Sequence, residues 1–133
     1  MRTARDMALV IDDKPDVRFA IKLMLERLGY TTLAACDGEE GLRLFDQYRL
    51  VLMITDLLMP RRESIETIRA FRDHGHRATV VAISGGMAAR DFLAFALKMG
   101  ADYAIAKPFG FGELSRVLTR LFPCKEYPQP HPC

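Results

Sequence analysis

The sequence predicts an α/β domain with a doubly wound parallel sheet, and three observations carry that expectation. Short apolar runs of strand length recur five times along the chain. Each is followed by a segment with apolar residues at helical spacing. The central run, Leu50-Val51-Leu52-Met53-Ile54, has no polar alternation, as a strand buried on both faces requires. Regular alternation of strand and helix makes the strands parallel, with helices covering both faces of the sheet.

The elements follow in order. Met7-Ala8-Leu9-Val10-Ile11 is the first strand and ends in Asp12-Asp13. Lys14-Pro15 opens the first helix, where proline's missing donor does no harm. Its inner face is Val17, Ala20, Ile21, Met24, Leu25 and Leu28, and Gly29 closes it. Residues 31–35 form the second strand, and Asp37-Gly38-Glu39-Glu40 opens a second helix that faces inward through Leu42, Leu44 and Phe45. The central run is the third strand, ending at Asp56 and stopped by Pro60. A third helix starts near Ser64, carries Ile65, Ile68 and Phe71, and ends at Asp73-His74-Gly75-His76. Thr79-Val80-Val81-Ala82-Ile83 is the fourth strand, leading into Ser84-Gly85-Gly86 and a fourth helix over about 88–99. Residues 103–107 are a short fifth strand broken by Pro108, and Leu114, Val117, Leu118 and Leu121 mark the fifth helix. Residues 1–122 are thus one domain; the proline-rich stretch 123–133 is expected to be an extended, mobile tail. Right-handed crossovers make the flavodoxin-like strand order 2-1-3-4-5 the expected topology, with strands 1 and 3 adjacent at the switch point.

Composition excludes several classes. At 133 residues, 50% hydrophobic, 27% charged and net +2, the chain is an ordinary globular domain. Of its 19 cationic residues 14 are arginines, dispersed along the chain, so no basic groove for direct nucleic-acid binding is indicated. No apolar run approaches the roughly 20 residues that span a bilayer, and the first residues lack the apolar core of a signal peptide. Cys36, Cys124 and Cys133 show no CxxC spacing, and the expectation is reduced thiols in a cytoplasmic protein. Cys133 and His131 are too few ligands for a zinc site.

The chemistry collects at the strand ends. Asp12 and Asp13 follow strand 1, Asp56 ends strand 3, Ser84 follows strand 4 and Lys107 closes strand 5. In an open parallel sheet these positions share one crevice beyond the carboxyl ends of the strands. Three carboxylates there disfavour one another's ionised form and call for a cation. Hard oxygen ligands suit Mg²⁺, which binds through a few carboxylates plus phosphate oxygens. An ammonium and a hydroxyl opposite that cation complete a cradle for a phosphoryl group. A carboxylate can itself be the nucleophile that accepts it.

On these residues the chain resembles the receiver domain of bacterial two-component response regulators, over about residues 7–122. The resemblance rests on Asp12-Asp13, Asp37-Gly38-Glu39-Glu40, Asp56 with Met59-Pro60, Ser84, Gly100-Ala101-Asp102 and Lys107-Pro108-Phe109, in this order and at these spacings. It implies that Asp56 accepts a phosphoryl group from the phosphohistidine of a histidine kinase or phosphotransfer protein. It implies Mg²⁺ held by Asp13 directly, by Asp12 mainly through water, by Asp56 and by the Leu58 main-chain carbonyl. Ser84 would hydrogen-bond the phosphoryl oxygen and Lys107 would pair with it. The Lys107-Pro108 bond is expected to be cis, an isomer that proline makes accessible.

Departures from the family pattern shape the remaining expectations. Ala104 stands where the family usually has an aromatic switch residue, and Tyr103, one place earlier, should face the opposite side of the sheet. Arg61-Arg62-Glu63 replaces the usual small loop after Met59-Pro60, and Gly85-Gly86 suggests a loop with extra backbone freedom. Leu58 stands two residues after the phosphoacceptor and offers no group to orient a hydrolytic water.

The reading is a stand-alone phosphoacceptor switch, not an enzyme with a soluble substrate, that signals through its helix 4, strand 5 and helix 5 surface to a downstream protein or a second copy of itself. The alternatives are a degenerate receiver acting as a constitutive interaction module, against which the intact residue set speaks, and a Mg²⁺-dependent phosphatase, which would need an acid where Leu58 stands. Helix 4 has a wider apolar arc than one core-facing stripe needs. At least one edge of it should be exposed, either Leu93 with Leu97 or Phe95, and the signalling face favours the former.

Overall fold

A computed structural model describes residues 7–57, 63–73, 78–85 and 89–122, with the backbone alone at 63–65, 89, 90, 92 and 93. Five strands, β1 (Met7–Ile11), β2 (Thr31–Ala35), β3 (Leu50–Asp56), β4 (Thr79–Ser84) and β5 (Tyr103–Ala106), alternate with five helices. The helices are α1 (Pro15–Arg27), α2 (Gly38–Gln47), α3 (Glu63–Asp73), α4 (Ala89–Met99) and α5 (Phe111–Leu121). All strand pairs are parallel and the order is β2-β1-β3-β4-β5, as the alternation predicted.

Because strand side chains alternate between faces, the central strands feed two cores. Leu9, Ile11, Met53, Val80 and Ala82 pack under Phe45 of α2, Ile68 and Phe71 of α3, and Ala96 of α4. Val10, Leu52, Ile54, Val81 and Ile83 pack under Ile21 and Leu25 of α1 and under Leu114 and Leu118 of α5. The sheet is therefore buried on both sides, which is why β3 reads as an unbroken apolar run. The Asp37 carboxylate accepts from the Glu40 N–H at 2.9 Å while Glu40 Oε1 accepts from the Cys36 N–H at 2.9 Å, so this Asp-x-x-Glu segment caps α2.

One expectation is refined and another is borne out. Ala20 is exposed, and so are its neighbours Phe19 and Leu23, while α1 is seated through Ile21, Leu25 and Leu28 with Val17 and Met24 partly buried beside them. On α4 both Phe95 and Leu97 are 47% exposed, which bears out the expectation that at least one edge of its apolar arc is exposed. Ala96 is fully buried between them, and a methyl group at the contact leaves the flanking side chains outside. The Leu93 side chain lies outside the described residues, as does the tail 123–133 with Cys124, His131 and Cys133.

At the sheet edge opposite the carboxyl ends, Arg72 ties the end of α3 to two other segments. Its guanidinium donates to the Gly100 carbonyl at 2.8 and 3.1 Å, to the Ala78 carbonyl at 2.9 Å and to the Asp102 carboxylate at 2.7 Å. Asp102 Oδ2 also accepts from the Val80 N–H at 2.8 Å. Gly100 has φ +124°, and a Cβ there would lie 3.2 Å from Arg72 Cγ. The Gly100-Ala101-Asp102 motif is thus the far anchor of α4 and β5.

Candidate functional site

Register brings the strand ends level. Ile11 pairs with Thr55, Asp56 with Ile83, and Ser84 with Ala106. One step further along each strand, Asp12, Asp56, Ser84 and Lys107 stand side by side at one edge. Backbone bonds hold the rim: the Asp12 N–H donates to the Ala35 carbonyl at 3.2 Å, the Leu57 N–H to Ile83 at 2.8 Å, and the Lys107 N–H to Ser84 at 2.7 Å. β5 itself stops at Ala106, so Lys107 is the first residue beyond it rather than its last. The Lys107-Pro108 bond is cis, as expected.

The three carboxylates converge: Asp12, Asp13 and Asp56 each offer an oxygen, and these atoms lie within 4.8 Å of one another. Asp12 and Asp56 are fully buried. Lys107 Nζ donates to Asp12 Oδ2 at 3.3 Å and lies 3.5 Å from Asp56 Oδ1. Burial pushes the Asp12 carboxyl above its ordinary range. The Lys14 N–H, 2.9 Å from Asp12 Oδ1, pulls against that, the Asp56 charge adds to it, and the Lys107 ammonium opposes it. Ser84 Oγ is buried with no hydrogen-bond partner among the described residues. A buried hydroxyl without a partner is costly, and beside an acid cluster it is suited to receive an incoming anion's oxygen.

This donor set fits a hard divalent cation: carboxylate oxygens only, closely spaced, two of the acids fully buried. Asp12, Asp13 and Asp56 are the residues that would hold it. The Leu58 carbonyl, expected as a further ligand, lies outside the described residues, as do Met59, Pro60, Arg61, Arg62 and Gly86.

Gly85 has a role other than loop freedom. A Cβ there would lie 3.2 Å from Lys107 Cβ, so glycine makes room for the lysine stem. Tyr103 packs on the α1/α5 core while Ala104 pairs with Ala82 of the opposite face, which bears out the one-residue offset. Two cations were not singled out from the sequence. Arg18 Nη1 donates to the Asp12 carbonyl at 2.8 Å, and Lys14 Nζ lies 3.6 Å from Asp13 Oδ1. Their signal was present, since both sit within the first turn or so of a helix that starts directly after an acid pair.

Comparison with known proteins agrees with this geometry. The family model described as response regulator receiver domain matches residues 8–119. The transcriptional regulatory protein CpxR of Escherichia coli is 32% identical over 106 residues, covering 80% of this chain and 44% of that protein. A probable transcriptional regulator, ycf27, of Cyanidium caldarium is 30% identical over 129 residues, covering 90% of this chain and 50% of that protein. The chain thus spans about half the length, or less, of these relatives. Among solved structures, a response regulator receiver domain protein from Clostridium thermocellum superposes with TM-score 0.77 at 29% identity, covering 86% of this chain and 91% of that one. The receiver domain of NtrX from Brucella abortus gives 0.78 at 27% identity, covering 85% and 95%. With the fold, the acid cluster and a family match over most of its length in agreement, the chain belongs to the response regulator receiver domain family.

Proposed function

We propose that Asp56 is the phosphoacceptor of a Mg²⁺-dependent switch, charged by the phosphohistidine of a partner kinase or phosphotransfer protein. The single observation that carries this is the convergence of three carboxylates within 4.8 Å, with Lys107 Nζ 3.5 Å from Asp56 and the Ser84 hydroxyl buried without a partner among the described residues. An Asp56 carboxylate oxygen attacks phosphorus, the bond from phosphorus to the partner's imidazole nitrogen breaks, and its electron pair leaves on that nitrogen. A bound Mg²⁺ supplies charge neutralisation between the carboxylates and the phosphoryl oxygens. Lys107 and Ser84 meet the remaining oxygens, so charge developing there is stabilised by groups already in position. In the resting site Lys107 also keeps Asp12 and Asp56 from repelling each other without compensation.

Two surfaces support the partner assignments. Beside Lys107 a groove of about 300 Å³ is lined by Val17, Ala20, Met24, Pro108 and Phe109. Phe19 and Leu23 of α1 lie exposed on the same helix. An apolar surface at the mouth of the acid pocket is where a phosphodonor protein has to dock to reach Asp56. The output face we assign to α4, β5 and α5. Leu97 is exposed there, and a groove of about 240 Å³ lies between β5 and α5, with Tyr103, Ala104, Glu113, Arg116 and Arg120 along it.

Intact-mass measurement after treatment with acetyl phosphate tests the proposal. One phosphoryl addition that needs Mg²⁺ and disappears in Asp56→Asn supports it. Continuous turnover of a soluble phosphate ester would make the protein a phosphatase, and no adduct under any condition would make it a constitutive interaction module.

A further inference from the structure

Lys14 is out of place as a helix residue. It is the N-cap of α1, it makes no side-chain capping bond, and it puts a positive charge where the helix dipole favours a negative one. Its ammonium turns toward the acid pocket, 3.6 Å from Asp13 Oδ1. Asp13 Oδ1 is a buried oxygen with no hydrogen bond among the described residues, so this ion pair is what compensates it there.

The cations around the pocket differ in how firmly they are held. Lys107 is 20% exposed and pinned between Asp12 and Asp56. Arg18 is spent on the Asp12 carbonyl. The Lys14 side chain is 58% exposed and among the described residues its ion pair in the pocket is with Asp13 alone, so it can leave at little cost. We infer that Lys14 is a resident counter-ion that competes with the divalent cation for Asp13 and so sets the affinity of the metal site. An ammonium and a divalent cation cannot both sit on one carboxylate oxygen without like-charge repulsion, and the exposed lysine is the one that yields. Once released, its charge stands at the mouth of the pocket, where an anionic phosphodonor enters. The inference rests on the metal-dependent reading above and adds a residue that tunes it.

The test is a calorimetric Mg²⁺ titration of the unphosphorylated protein at low ionic strength, for the wild type, Lys14→Gln and Lys14→Arg. An exposed ion pair is worth enough to shift Kd by about two- to fivefold. Lys14→Gln should therefore bind Mg²⁺ about two- to fivefold more tightly, Lys14→Arg should behave as the wild type, and the difference should vanish in about 0.5 M salt. Lys22→Gln, which removes a cation of the same helix paired at 3.5 Å with Glu26, controls for net charge and should leave Kd unchanged. Equal or weaker binding by Lys14→Gln, or an equal gain in Lys22→Gln, overturns the inference. A wild type that binds no Mg²⁺ removes the metal-dependent reading itself, and the inference with it.

Discussion

Replacing Asp12 by asparagine should make the metal-free protein more stable at neutral pH, although it deletes an ion pair. Asp12 is fully buried and its ligating oxygen lies within 4.8 Å of those of Asp13 and Asp56. At an effective dielectric of about 20, each of those repulsions amounts to at least about 3.5 kcal/mol. The attraction to Lys107 at 3.3 Å is about 5 kcal/mol on the same scale. Removing both leaves a net gain of about 2 kcal/mol, before the relief of burying one charge fewer. Asparagine Oδ1 can still accept the Lys14 N–H that Asp12 accepts at 2.9 Å, and Lys107 keeps Asp56. In a chain of this size such a gain raises Tm by roughly 5–10 °C. The pH dependence gives the sign independently. Burial holds the folded-state pKa of Asp12 above its ordinary value of 3.8, so the native state binds this proton more tightly than the unfolded chain. Wild-type stability therefore falls as pH rises from the ordinary carboxyl range through the raised pKa, and stays at the lower level above it. The advantage of Asp12→Asn should be complete above the raised pKa and shrink as pH falls through it, reaching its minimum near about pH 4. Urea denaturation in a chelator from pH 3 to 8 measures it. A variant less stable than the wild type at pH 7, or a gap that widens on acidification, would refute the reasoning.

Other outcomes follow from the same structure. Mg²⁺ at about 100 times its Kd should stabilise the wild type by about 2.7 kcal/mol, and Asp12→Asn, lacking a ligand charge, by less; thermal melts with and without the ion check this. Arg72→Met strips donors from the Gly100 and Ala78 carbonyls and from Asp102, and should cost about 2–4 kcal/mol in urea denaturation with no change in the phosphoryl addition to Asp56. Leu97→Glu, at a 47% exposed position, should fold with stability within about 0.5 kcal/mol of the wild type yet lose phosphorylation-dependent association in light scattering. Leu58→Asn should hasten loss of the phosphoryl group, followed by intact mass, because asparagine can orient a water and leucine cannot; unchanged decay would show that another group governs water access.

Much of this was legible because the signals were local and periodic. Apolar runs such as 7–11 and 50–54, short and bounded by polar residues, read as strands buried on both faces, and once five βα units were counted, handedness of the crossovers left few topologies. The site was legible for the same reason: parallel strands end at one edge, so the three acids at the ends of β1 and β3 had to meet. Long-range packing was less so. Nothing in the helical period says that Ala20 faces solvent or that α4 rests on Ala96, since both depend on how far each helix stands from the sheet. Lys14 and Arg18 were passed over because a cation at a helix start reads as a solvated charge until its partner is known. Arg72 is another such case, with partners 6 to 30 residues away in sequence.

The central claim is that Asp56 carries the phosphoryl group, and its most direct test is chemical. An acyl phosphate, unlike a free carboxylate, is reduced by borohydride to an alcohol, which converts the modified aspartate to homoserine. After phosphorylation in Mg²⁺, reduction and proteolysis, tandem mass spectrometry should find homoserine at position 56 and aspartate at positions 12 and 13. Homoserine at either of those two positions, or at none of the three in a protein that carries the phosphoryl mass, would contradict the account.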